Sequence, residues 1–311
     1  MTWCPGDAVT FSNMHISKLG EFGLIERFKK AIKTDSSVIK GSGDDCAVLK
    51  FDKNSYQLFT CDMIVENVDF TLKDKPYLIG RKSLAVQISD IAACAGLPRH
   101  CLISLSMPAK TSLEFADKIF KGMLDIANEY NINIVGGDLS RSRQITIDVS
   151  MLGIVEKNNL VLRSGAKEKD IIFVTGELGG SIRGKHLSFT PRLKEARFLV
   201  KNFEINSMID ISDGLAQDLG HILGQSSVGA IIYEDLIPLS KQARNLNEAL
   251  YMGEDFELLF TLSNKEAKKF FGKKLTNFKP IGEITDKKFG LRLIDKWNKG
   301  KIIKPKGFRH F

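Results

Sequence analysis

The sequence predicts a mixed α and β protein of two domains, and three observations carry that expectation. At 311 residues the chain exceeds one compact core and suits about two domains of roughly 150 residues each. Its 43% apolar and 26% charged residues are ordinary for a folded chain, which excludes disorder, collagen and coiled coil. Strand-like and helix-like patterns then alternate along most of its length.

Residues 1–18 show no periodicity and read as an extension. From Gly20, the run GEFGLIERFKKAI places Phe22, Leu24, Ile25, Phe28 and Ile32 largely on one helical face. Runs rich in β-branched and aromatic residues predict strands over 46–51, 56–65, 100–107, 144–155, 170–176, 229–235 and 256–262. Helical patterns lie over 79–95, 112–130, 191–202 and 214–225. The turn EKNN supports a division into 19–153 and 154–311. There is no fixed-period repeat.

Five cysteines (Cys4, Cys46, Cys61, Cys94, Cys101) with no C-x-x-C pair predict free thiols rather than disulfides or zinc. No apolar run approaches the ~18 residues of a membrane span, and the first residues lack the apolar core of a secretion signal. The cytoplasm is the expected compartment, without a membrane partner.

The placement of the acids is the informative feature. Asp44 and Asp45 sit in GSGDDCAVL, Asp62 interrupts LFTCDMIV, and Asp90 lies in the apolar run LAVQISDIAACAG. Asp138 follows two glycines in INIVGGDLS, Asp210 and Asp213 occupy MIDISDGL, and Glu254 with Asp255 sits in YMGEDFELLF. Carboxylates in apolar surroundings are costly unless paired or metal-bound. So many of them beside glycines point to one site for hard cations. Mg²⁺ prefers carboxylate and water oxygens and commonly accompanies phosphates, so the pattern predicts several Mg²⁺ ions and phosphoryl transfer. Gly179, Gly184 and Lys185 spell a Walker-like G-x-x-x-x-G-K, but His186 stands where Ser or Thr is needed and Pro191 interrupts the following helix. A P-loop is therefore not expected.

Taken together, GEFGLIERF, GSGDDCAVL, TCDMIVENVDF, GRKSLAVQISDIAACAGLPR, IVGGDLSR, RSGAKEKDIIFVTGELGGS, MIDISDGLAQDLGHI, GEDFELLFT and the terminal GFRHF resemble the thiamine-monophosphate kinase family of the aminoimidazole ribonucleotide synthetase-like superfamily. The resemblance implies two α+β domains, a homodimer paired through the N-terminal domains, and an ATP site between domains. It implies ATP- and Mg²⁺-dependent phosphorylation of thiamine monophosphate to thiamine diphosphate by direct in-line transfer. By matching positions, it assigns Asp45, Thr60, Cys61, Asp62, Asp90, Asp138, Asp210 and Asp213 to metal, with Asp210 and Asp213 as the catalytic pair. Gly137, Asp138, Arg163, Ser212 and Tyr130 match nucleotide contacts, and Asp69, Glu254 and Phe308 match acceptor contacts. Asp69 stands where the family usually has His, Cys61 where it has Thr, and Met252 where Gly is common. The segment 180–208 is also shorter than usual.

The alternatives are a superfamily relative acting on another acceptor, a non-catalytic ATP-binding scaffold, and a basic nucleic-acid-binding protein. The last draws on the net charge of +8. That charge is uneven: residues 265–311 hold 15 Lys+Arg against 4 Asp+Glu, and the first 264 residues hold 30 against 33. The basic end lacks a helix-turn-helix, zinc finger or RNP-like motif, so no nucleic-acid partner is expected.

Overall fold

Residue alternation divides the first sheet into a covered face and an open one. The computed structural model describes residues 15–308 except 274 and 276. The expected extension over 1–14, Cys4 and the terminal 309–311 lie outside the described residues. Residues 15–34 belong to a small unit of their own, with helices α1 (Ile16–Leu19) and α2 (Glu21–Lys29). Helix α1 thus begins inside the stretch read as an extension.

Residues 35–308 form the main unit. Its first sheet holds β1 (Val38–Lys40), β2 (Ala47–Lys50), β3 (Ser55–Val65), β4 (Leu97–Met107), β5 (Asn133–Arg141) and β6 (Thr146–Glu156), in the order β1-β2-β3-β6-β4-β5. All neighbours are antiparallel except β4 and β5. Helices α3 (Pro76–Ala93) and α4 (Leu113–Glu129) pack on one face. Along β6 every second residue from Ile147 to Val155 is buried beneath them, the period-2 pattern of a half-covered sheet. Gly80 and Gly122 let the two helices approach closely, since a Cβ on Gly80 would lie 1.9 Å from the Ile119 carbonyl oxygen.

The second sheet holds β7 (Ile171–Thr175), β8 (Ile205–Asp210), β9 (Gly229–Tyr233), β10 (Leu258–Leu262), β11 (Phe278–Thr285), β12 (Leu291–Ile294) and β13 (Gly300–Ile302). Its order is β13-β12-β9-β11-β7-β10-β8, antiparallel except between β12 and β9. Helices α5 (Lys185–Ser188), α6 (Leu193–Asn202), α7 (Leu215–Ser226), α8 (Leu246–Tyr251) and α9 (Asn264–Gly272) complete the fold. Alternate strand residues feed two cores. Ile172, Val174 and Leu259 join the core under α7, whereas Phe173 and Phe260 stack at 5.4 Å in a core continuous with that of the first sheet. The architecture is α+β, as expected.

Every predicted strand and helix core exists, and the structure adds β1, β5, β8, β11–β13, α1, α5, α8 and α9. Among the described residues, no helix is long and apolar enough to cross a membrane.

Candidate active site

The carboxylates converge because four different elements end or bend at one place. Thr60 and Asp62 are two apart on β3, so the pleat turns both toward α3. There the Thr60 hydroxyl donates to Asp90, and Asp62 and Asp90 share a side-chain hydrogen bond. Asp210 ends β8, where the Ser89 hydroxyl donates to its carboxylate at 2.6 Å. Asp45 comes from the loop before β2, which is held at both ends of a relay: Lys40 Nζ donates to Gln225 Oε1 at 2.8 Å, and Gln225 Nε2 donates to the Gly43 carbonyl.

One carboxylate oxygen from each of Asp45, Asp90 and Asp210 lies within 4.8 Å of the others. Arg163 closes the group, its guanidinium 2.8 Å from Asp45 Oδ1 and its backbone N–H 3.1 Å from Asp44 Oδ1. The other Asp45 oxygen is buried and has no hydrogen-bond partner. Burial, and then the like charge of Asp45, pushes Asp210 up to about 8. Burial and then Asp45 push Asp44 up to about 6, and burial with Asp62 and Asp210 holds Asp90 well above the carboxylate range. Clustered like charges with an orphaned oxygen are the arrangement a hard divalent cation relieves. The donors are all oxygens, and they fit Mg²⁺.

The remaining candidates are placed around this cluster in separate groups. Asp213 lies with Asp218 and His221, one ligand atom of each within 4.8 Å. Ser212 accepts the Glu254 N–H at 2.7 Å through its carbonyl, and the Asp213 carbonyl accepts the Phe308 N–H at 3.0 Å. The loop 212–214 thereby gathers Glu254 and the C-terminal aromatic. Glu254 sits at φ 61°, in the left-handed region, and pairs with the buried Lys82. The Asp69 carboxylate is turned back onto the Val65 N–H at 2.7 Å, closing its own turn.

Asp138 and Cys61 belong to the other face of the sheet. By register Asp138 stands beside Ser104, which pairs with Asp148, and the Cys61 thiol lies 3.2 Å from Asp148. Neither joins the Asp45–Asp90–Asp210 group. Gly137 has a packing role, since a Cβ there would lie 1.8 Å from the Ile103 carbonyl oxygen. Tyr130 caps α4 beside Glu129, Arg81 and Glu195, its phenol pushed up to about 12 mainly by burial.

Asp255, read with the cation-binding acids, instead accepts from the Gly179 N–H at 2.9 Å and from the Ser181 hydroxyl. Lys185 of the Walker-like run pairs with buried Glu257 at 2.8 Å, which also accepts from Arg192 Nε and Nη2, at 2.6 and 2.7 Å. Lys185 of that run is thus engaged in an ion pair with Glu257. Sequence reasoning missed Lys82, Ser89, Asp148 and Asp218; a lysine inside an apolar helical run is the signal that marks Lys82.

The chain matches the models of the AIR synthase related protein N-terminal domain over residues 43–155 and C-terminal domain over 152–294. It is 39% identical to thiamine-monophosphate kinase of Buchnera aphidicola subsp. Acyrthosiphon pisum, over 94% of this chain and 99% of that protein. With the Bacillus subtilis thiamine-monophosphate kinase, identity is 33% over 94% and 100%. The solved structure described as AaThiL complexed with AMPPCP and TMP superposes with a TM-score of 0.83 at 30% identity, covering 97% of this chain and all of that one. The chain therefore belongs to the thiamine-monophosphate kinase family, built from the two AIR synthase related domains.

Proposed function

We propose that this protein phosphorylates thiamine monophosphate to thiamine diphosphate at the expense of ATP. The convergence of Asp45, Asp90 and Asp210 beside Arg163 carries the reading, because it offers a cation and phosphate site in a chain 39% identical to such a kinase. The γ-phosphoryl group passes in line from ATP to a phosphate oxygen of the acceptor, and ADP leaves. The acceptor oxygen is already anionic, so no general base is required.

Asp45, Asp90 and Asp210, with Asp62 and Thr60 alongside, would hold several Mg²⁺ ions; Asp213 and Asp218 extend the set. Bound Mg²⁺ supplies charge neutralisation between two anions. Arg163 neutralises phosphate charge and is held ready by Asp45. Ser212, Gly137, Asp138 and Tyr130 are read as nucleotide contacts. Glu254, Asp69 and Phe308 are read as the acceptor end, where an aromatic face and carboxylates suit a cationic thiazolium.

A homodimer is part of this reading, with the uncovered face of the first sheet as its interface. That face exposes Phe59, Met63 and Leu102, and Asp138 and Cys61 lie on it by register. The cytoplasm, and no nucleic-acid partner, complete the proposal. The test is ADP release and thiamine diphosphate formation from ATP, Mg²⁺ and thiamine monophosphate. Absence of turnover across a wide Mg²⁺ range overturns it.

A further inference from the structure

Lys82 is a lysine that never reaches water. It sits in the first half of α3 at 1% exposure, on a helix locked against α4 by the Gly80 and Gly122 contacts. A buried ammonium survives only when its charge and protons are matched. Two partners here match the charge and two of its three protons. Lys82 Nζ donates to the Asp69 carbonyl at 3.0 Å and to the Glu254 carboxylate.

Those partners come from opposite halves of the chain. Asp69 lies in the loop between β3 and α3, and Glu254 in the left-handed turn before β10. Both belong to the acceptor end in the reading above, on which this inference rests. Phe308 joins them through the loop 212–214, whose Ser212 carbonyl holds the Glu254 N–H. One nitrogen thus fixes the distance between two loops that contact the same substrate. The Asp69 link runs through its main chain, so it survives the exchange of His for Asp at that position.

We propose that Lys82 is the positioning residue of the acceptor site: it holds the Glu254 carboxylate in place through their ion pair and ties the Asp69 loop to it, without touching the nucleotide cluster. Lys82 therefore sets affinity for the phosphorylated acceptor and leaves ATP affinity alone.

The experiment compares wild type with Lys82→Met, Lys82→Arg, Glu254→Gln and the Lys82→Met/Glu254→Gln double variant, each checked by thermal melt. Kinetic constants are measured for thiamine monophosphate and ATP separately, and thiamine monophosphate binding is measured calorimetrically without turnover. Lys82→Met is expected to weaken acceptor binding and raise its KM about tenfold or more, with the KM for ATP within about twofold. Lys82→Arg recovers part of the loss. The double variant loses less than the two single losses combined, because Lys82 acts through Glu254. Unchanged acceptor affinity in a folded Lys82→Met protein overturns the proposal, as does an equal rise in both KM values. A wild type that neither binds nor phosphorylates thiamine monophosphate overturns the functional reading instead, and the positioning role with it.

Discussion

Ser89 and Asp210 stand 121 positions apart in the chain and are joined by a 2.6 Å hydrogen bond. The next residue, Asp90, faces the same carboxylate group. One turn of α3 thus supplies both a candidate cation ligand and the hydroxyl that orients a second ligand from the other sheet. Ser89→Ala is expected to raise the Mg²⁺ concentration for half-maximal turnover about tenfold, the usual cost of losing an outer partner of a metal ligand. A Mg²⁺ titration of initial rate checks this, and an unshifted midpoint refutes it.

Asp90 is half-buried among like charges, so its removal separates function from stability. Asp90→Asn keeps the acceptor for the Thr60 hydroxyl but cannot ionise. Without Mg²⁺ the variant should melt higher than wild type, by an amount worth about 1–2 kcal/mol, while turnover falls about a hundredfold or more. Added Mg²⁺ should raise the wild-type melting temperature and barely move the variant's. Identical melting curves with and without the ion would contradict the proposed crowding.

The pH dependence centres on Asp255, whose carboxyl is pushed up to about 6 mainly by burial, against hydrogen bonds from Ser181 and Gly179. Between the unfolded value near 3.8 and about 6, the folded state holds a proton that the unfolded state has released. Stability from this group is therefore complete below the lower value and declines as pH rises to the upper one. Asp255→Asn should remove that decline, so denaturation from pH 4 to 7 shows the variant gaining up to about 3 kcal/mol on wild type. Parallel profiles would refute the assignment.

The open face of the first sheet gives a prediction of assembly. Met63 and Leu102 are 54% and 50% exposed, so neither stabilises the isolated protomer much. Met63→Lys with Leu102→Asp should yield a folded monomer by light scattering, where the wild type gives a dimer. A wild-type monomer would dismiss the interface.

Gly137 offers a test of two explanations for one glycine. The close approach of its Cα to the Ile103 carbonyl predicts that Gly137→Ala separates β5 from β4. The loss is then about 2 kcal/mol or more of stability, visible in a melt without ATP. A variant that melts normally but binds ATP weakly would restore a purely ligand-directed role.

The legible parts of the molecule were those where a local pattern is the cause of the structure. The alternation in QITIDVSMLGIV is β6, and the apolar run around Asp90 is α3, because each is half or wholly buried. Strand β5 escaped notice since INIVGGDLSR is an exposed edge interrupted by two glycines and a bulge. Strands β12 and β13 are only four and three residues long and lie among charged neighbours, too short to show a period. The acids at Asp45, Asp90 and Asp210 could be read as costly in isolation, and the structure explains why they are tolerated together. Asp255 looked the same in sequence, yet its partners are a backbone N–H and a serine some 75 residues away, a pairing that only the fold creates. Asp138 shows the limit most clearly: nothing local says which side of a sheet it takes.

Strand β3 answers to two masters by parity. Its Thr60 and Asp62 serve the carboxylate cluster, and its Phe59, Cys61 and Met63 furnish the opposite surface. Inserting or deleting one residue within 59–63 would exchange the two sets at a stroke, sending the ligands outward and the apolar side chains among the acids. The strand can thus change its side chains one at a time, but not its length; variation in length is confined to the turn at 51–54, outside the paired register.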